Sequence, residues 1–394
     1  MRSLLAVFGV VACGAAIATL MSCGGGSGSN SNNTPAQSSF TVTALVSDGA
    51  VQAAHTDPNL KNPWGVAFNP KGFVWVADNG TNVATLYDGN GAPQPLVVAI
   101  PAGMNGSASP TGIVFNGTQS FIVNEKGMAG VAAFIFAGEG GTITAWAPAV
   151  GPTNAFIMYD DGAGGAVYKG LALAASNNNS FLYATDFHNN KIDVFNTSFK
   201  KVVMPGAFKD PAIPAGFAPF GIQAIGSNLF VTYAMQDAAK HDDVAGAGLG
   251  MVDVYDTAGN LKQRFATGGP LNAPWGIAPA PANFGSLSGA ILIGNFGDGT
   301  INAFNASTGQ PMGRLNGPNG SPIVEHGAWG IAFGNDLSDQ PSNTLFFAAG
   351  PNDEANGVYG RIDLNTTPNS GTNTGSGTGT GAGAGAGAGT SMGM

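Results

Sequence analysis

Cysteine is nearly missing from this chain, with two in 394 residues, and charge is scarce too, at 9% Asp, Glu, Lys and Arg. Cys13 lies inside an apolar N-terminal stretch and Cys23 stands just after it. A disulfide framework is therefore excluded, and burial and hydrogen bonding must hold the fold. Lysine and arginine number 14 against 23 acidic residues, a formal net charge of −9. A surface that neutralises phosphates is lacking, which sets nucleic acid aside as a partner. No segment carries a convincing helical stripe. Between residues 40 and 364 there is no Gly-x-Ser-x-Gly elbow, His-Glu-x-x-His pair, Cys-x-x-Cys pair or Walker-type phosphate loop. Those absences weaken an enzymatic reading without closing it, because a site can be assembled from loops far apart in sequence.

Glycine, at 62 residues, is what the chain has instead, and it falls in a repeated phrase. An aromatic, small or basic residue precedes a glycine, and a β-branched or leucine-led apolar run follows it. The six copies are centred on Trp64-Gly65-Val66, Thr111-Gly112-Ile113, Lys169-Gly170-Leu171, Phe220-Gly221-Ile222, Trp275-Gly276-Ile277 and Trp329-Gly330-Ile331. Successive glycines are 47, 58, 51, 55 and 54 residues apart, close to or somewhat above the roughly 40–50 residues of a four-stranded propeller blade. Three further strands with period-two alternation follow each phrase, most plainly at 181–185, 191–195 and 201–204 in the third repeat. In the second repeat either 121–125 or 133–136 can be the second strand, and the Gly-Glu-Gly-Gly after the latter favours it. The expected fold is all-β: a six-bladed β-propeller of four-stranded antiparallel blades. The last repeat stops after its third strand, so the strand at 40–46 is expected to complete the last blade and close the ring, removing its unpaired edges.

The ends read differently. Met1-Arg2, the apolar stretch to Leu20 and the sequence Leu20-Met21-Ser22-Cys23 resemble the leader and lipobox of bacterial lipoproteins. The resemblance implies a signal peptide at 1–22, a lipidated Cys23, a Gly/Ser/Asn-rich tether over 23–39, and an extracytoplasmic head anchored to a bacterial membrane, on the periplasmic face of the outer membrane or at the cell surface. The domain is expected at 40–364. Residues 365–394 are Gly, Ala, Thr and Ser with nothing large to bury, and read as a disordered tail.

Within the domain, the phrases Asn62-Pro63-Trp64-Gly65-Val66-Ala67-Phe68, Val76-Ala77-Asp78-Asn79-Gly80, Gly138-Glu139-Gly140-Gly141-Thr142-Ile143 and Ala273-Pro274-Trp275-Gly276-Ile277 resemble a family of secreted bacterial propellers of unassigned activity. The pattern is more distantly similar to NHL-repeat and lactonase-like propellers. The resemblance implies the fold and leaves the function open, since propellers host enzymes and binding scaffolds alike.

In a propeller, the loops entering the inner strands and those between second and third strands share one end of the axial channel. That end collects all four histidines, His55, His188, His241 and His326, together with Asp78, Glu139, Asp186 and Asn295. Carboxylates and amide oxygens suit calcium, and histidines add affinity for zinc. Asp78, Glu139, Asp186 and Asn295 are thus the metal-ligand candidates, and His188 and His326 the candidate bases. The lactonase-like resemblance implies a hydrolase with a metal at this place. The same residues are also ordinary turn formers. Trp64, Trp275 and Trp329 either wedge between blades or, with His241, line a ligand funnel. The loop from Gln236 to Gly250 is a lid or partner contact, or an insertion without a role. The reading that results is a monomeric, membrane-tethered scaffold that binds a protein or glycan. A metal-dependent hydrolase and a structural envelope lipoprotein are the alternatives.

Overall fold

The computed structural model describes residues 37–176 and 179–365. The expected leader, Cys23, the tether up to residue 36 and the tail beyond residue 365 lie outside the described residues. Strands at Pro63–Phe68, Pro110–Phe115, Tyr168–Ser176, Phe217–Ile225, Pro274–Pro279 and Ala328–Phe333 each begin an antiparallel sheet and stand innermost in it. The chain then meanders outward strand by strand, giving six blades in one ring. In the second blade Phe134–Gly138 pairs with the inner strand, while Ile122–Glu125 and Met128–Val131 form a separate hairpin. No helix longer than a single 3-10 turn occurs among the described residues.

The sixth blade closes the ring as the sequence predicts. Its own strands end with Val358–Leu364, and Phe40–Ser47 lies antiparallel to that strand from Phe40 opposite Leu364 to Ser47 opposite Val358. The register also orients the molecule. Ser47, Val358, Ala349 and Ala328 lie at one end of the blade, where the channel has its mouth, and Phe40, Leu364 and Phe333 at the other.

The glycine phrase marks the point where inner strands approach one another around the axis. A Cβ on Gly65 would lie 2.5 Å from the carbonyl oxygen of Thr111, and one on Gly170 would lie 2.9 Å from that of Phe220. The contact passes from blade to blade until Gly330 faces the carbonyl of Trp64, so one steric requirement recurs six times. Each inner strand also shifts register across the phrase, as between Pro63 and Val66 or between Ala328 and Ile331. That bulge turns the backbone towards the axis.

Six apolar clusters fill the six seams between blades, and a seventh lies on the axis. In the seam between first and second blades, Trp75 stacks on Phe134 at 4.1 Å and leans on Trp146 at 4.7 Å. Between the first and sixth, Tyr87 stacks on Tyr359 at 5.3 Å. The wedge role expected of the phrase tryptophans belongs instead to Trp75 and Trp146. The phrase tryptophans pack on the axis.

Candidate functional site

The residue before each phrase glycine projects at the mouth, and in the first, fourth, fifth and sixth blades it is Trp64, Phe220, Trp275 and Trp329. Trp64 and Trp329 stack face to face with centroids 3.4 Å apart, and Trp275 meets both edge-on at 5.6 and 5.8 Å. Phe220 and Phe296 complete the group against Trp329, at 5.9 and 4.1 Å. With exposures of 2%, 8% and 1% for the three tryptophans, the indole faces are covered by one another. They form a plug across the axis. Pinning hydrogen bonds run sideways: Trp275 Nε1 donates to the Lys169 carbonyl at 3.1 Å, and Trp329 Nε1 donates to Asn62 Oδ1 at 3.1 Å.

Above the plug stands a lysine ammonium. Lys169 occupies the same phrase position in the third blade, is 1% exposed, and holds its Nζ 5.0 Å from the Trp64 ring centre. It is ion-paired with Glu139 of the second blade and, at 3.2 Å, with Asp242 from the long loop of the fourth. Burial opposes the charge on Lys169, but the two carboxylates outweigh it and hold its pKa above the ordinary value. Asn79 Nδ2 donates to the other oxygen of Glu139 at 2.8 Å. Asn62 Nδ2 donates to Glu354, which ties the plug to the roof.

The loop expected as a lid does reach this centre. Asp237 Oδ1 accepts the backbone N–H of His241 at 2.9 Å and that of Asp242 at 3.3 Å, and Asp243–Val244 adds a short strand to the blade. That turn delivers Asp242 to Lys169, with His241 Nδ1 2.8 Å from Asp242 Oδ1. The hydrogen bond with His241, followed by the charge of Lys169, draws the Asp242 carboxyl down to about 2, and the same bond raises the imidazole above its usual value. Neighbouring acids behave in the opposite way. Burial pushes Asp243 up to about 7, with Glu354 and Asp242 adding repulsion, and its Oδ2 has no partner among the described residues. Burial raises Glu354 and brings Glu325 to about 7.

The four metal-ligand candidates do not converge. Asp78 is fully buried and accepts the Thr85 hydroxyl at 2.8 Å within its own blade; burial raises its pKa well above the carboxylate range. Asp186 is held by Asn189 Nδ2 at 2.9 Å and by Lys191 at 3.2 Å. Asn295 donates to the Pro270 carbonyl and to Asp298. Glu139 alone of the four reaches the axis. Among the described residues, Glu139, His241 and Asp242 bring potential ligand atoms within 4.8 Å of one another. The donor set does not fit a cation as it stands, because the Lys169 ammonium pairs with both carboxylates. Of the candidate bases, His326 is exposed and His188 half-buried, and neither imidazole is hydrogen-bonded to another described residue. Lys169 stands in the third phrase, and Asp242 and Asp243 in the loop expected as a lid, but neither they nor Glu354 are among the residues the sequence singles out. Lys169 carried a usable signal, as the one charged residue at the position before a phrase glycine.

The family model described as the NHL repeat matches residues 60–82, which span the first phrase and the strand after it. Among solved structures, the soluble aldose sugar dehydrogenase of Escherichia coli is similar at a TM-score of 0.52 and 12% identity, over 83% of this chain and all of that one. That likeness shows the propeller fold alone. Two uncharacterized proteins of Acanthamoeba polyphaga mimivirus are nearer in sequence. R648 is 33% identical over 83% of this chain and 81% of its own length, and L690 is 32% identical over 83% and 86%. These relatives are viral, and they do not show the secreted bacterial family that the sequence resembles. The chain belongs to the family of the mimivirus proteins R648 and L690, with the architecture of an NHL-like propeller.

Proposed function

We propose that the protein is a ligand-binding propeller scaffold that recognises a cationic group, on a peptide or a small molecule, at the channel mouth. The observation that carries this reading is the charge balance above the plug. Among the described residues, four carboxylates, Glu139, Asp242, Asp243 and Glu354, act on one another and on the Lys169 ammonium, with the His241 imidazole beside Asp242. A second cation would offset the repulsion that these acids add to the effect of burial in raising Asp243 and Glu354. The buried indole faces argue against sugar stacking. The dispersal of Asp78, Asp186 and Asn295 into their own blades argues against the hydrolase reading.

The membrane tether belongs to the same proposal. The anchor would be a lipidated Cys23. Radiolabelled palmitate should enter the wild type and be absent from Cys23→Ala. Labelling of both, or of neither, would remove the anchor from the proposal.

Recognition is tested by calorimetric titration with a lysine-rich peptide and with a glutamate-rich peptide of equal length. The basic peptide should bind saturably, more weakly as salt rises, and several-fold more weakly to Glu354→Gln. Equal affinity for both peptides, or no heat from either, would overturn the reading.

A further inference from the structure

The other end of the channel has a different character. Below the glycine ring the inner strands splay into a funnel of about 430 Å³, open to solvent. Between funnel and plug lies a neck of only about 40 Å³, lined by Gly65, Gly112, Gly170, Gly276 and Gly330. The plug blocks any path to the mouth, so the funnel is a blind pocket. Its volume is within the roughly 300–1,000 Å³ range of small-molecule sites.

The wall follows the sixfold repeat with one exception. At the second position after each phrase glycine, five blades contribute Ala67, Val114, Ala172, Ala278 and Ala332, and the fourth contributes Gln223. Among the described residues, no titratable side chain lines the funnel, and the Gln223 amide is the one side-chain hydrogen-bonding group in it. Gln223 is exposed, and its Nε2 makes only a long hydrogen bond, 3.4 Å to the Ala224 carbonyl. Its remaining N–H and its oxygen are available to a guest. Packing does not demand glutamine here, because the other blades meet the same sixfold geometry with aliphatic residues.

We propose that this funnel is a second binding site, which takes a neutral, mainly apolar small molecule carrying one hydrogen-bonding group, oriented by Gln223. An ionised guest is disfavoured because no counter-charge lines the wall and desolvation of its charge would go uncompensated. The site is separate from the mouth, so the two proposals stand or fall independently.

The neutral probe N-phenyl-1-naphthylamine tests it by fluorescence titration of the purified protein. Saturable one-to-one binding is expected, with displacement by decan-1-ol at a concentration about tenfold lower than by decanoate. Gln223→Leu should keep the probe and lose most of the advantage of decan-1-ol over decane. Ala332→Trp, which fills the funnel from a half-buried position, should weaken the probe about tenfold or more. Melting curves establish that both variants are folded; Gln223→Leu, at an exposed position, is the one that tests the claim if Ala332→Trp is not. Absence of saturable binding would overturn the proposal. So would decanoate displacing as well as the alcohol, or probe binding equal in wild type and folded Ala332→Trp.

Discussion

The two ends of the channel are built from the same six phrases, yet one is a polar roof over stacked indoles and the other an apolar funnel. The difference comes from the two sides of one glycine. After it the residues are Val66, Ile113, Leu171, Ile222, Ile277 and Ile331, nearly uniform because every blade must fill the same seam. Before it they are Trp64, Thr111, Lys169, Phe220, Trp275 and Trp329: the fifth, sixth and first blades, consecutive around the ring, share tryptophan, and the other three all differ. Inner-strand packing constrains the first set. The second set projects into the mouth, where sixfold symmetry imposes nothing, and individual chemistry is free to arise there.

Removing the ring that both ends share should have the largest effect. Deletion of residues 40–47 takes away the buried side chains of Phe40, Leu45 and Val46 and opens an edge along Val358–Leu364. Cooperative thermal unfolding followed by circular dichroism should disappear. A truncated protein that melts like the parent would show that five intact blades and a three-stranded sixth suffice. Next in size is the mouth ion pair. Lys169→Met leaves Glu139 facing the plug without a counter-charge and should cost about 3–5 kcal/mol in denaturant unfolding, because a buried partner is stranded. The pair Lys169→Met with Glu139→Gln should recover most of that loss. At the far end, exposed Gln223→Leu should stay within about 0.5 kcal/mol of wild type. Equal losses at Lys169 and Gln223 would erase the contrast between the two ends.

The fold was legible because it rests on a demand repeated six times. Each phrase fixes an inner strand, and the strand missing from the last repeat pointed to 40–46. The site was harder to read because alternation along a strand places a side chain at the mouth end without saying what captures it. Asp78 has Thr85 seven residues on, and Asp186 has Asn189 three on and Lys191 five on, so each is taken up locally. Glu139 is followed by Gly140 and Gly141, which offer no side-chain donor, and it reaches across blades to Asn79 and Lys169. Thr142 and Thr144 stand three and five residues after Glu139 and do not capture it, so a donor close in sequence does not by itself separate the two outcomes. The same limit explains the misplaced tryptophans: a residue beside a strand-contact glycine looks like a wedge, but a side chain at the very start of an inner strand has only the axis to fill.

A smaller effect follows from the mouth acids. Burial holds Asp243 and Glu325 at about 7 in the folded protein, against ordinary values near 4 in the unfolded chain. The folded state therefore binds more protons between those limits. The stability these groups contribute is fully present below about pH 4 and is lost as pH rises through about 7. The raised His241 acts in the same direction, its contribution being lost as pH rises through a value above its usual one. Melting temperature should fall from pH 5 to pH 8, and Asp243→Asn should flatten the fall by on the order of 1–2 kcal/mol after solvent screening. A profile equally steep in the variant would place the proton elsewhere.

The smallest effect concerns the loop over the mouth. Asp242 pairs with Lys169, but its side chain is 66% exposed, and such a pair contributes about 0–1 kcal/mol. The loop does not depend on that pair for its shape. Asp237 closes the turn through its side chain, its own N–H donates to the Asp242 carbonyl at 2.8 Å, and Asp243–Val244 is paired with the second strand of the blade. Asp242→Asn should therefore cost less than about 1 kcal/mol and leave amide exchange in 237–244 unchanged. Asp237→Ala, which removes the acceptor of two backbone N–H groups, should cost about 1–2 kcal/mol and accelerate exchange through the same segment. If Asp242→Asn alone released the loop, the axial charge would be what holds it closed, and the mouth would be a latch instead of a preformed recognition surface.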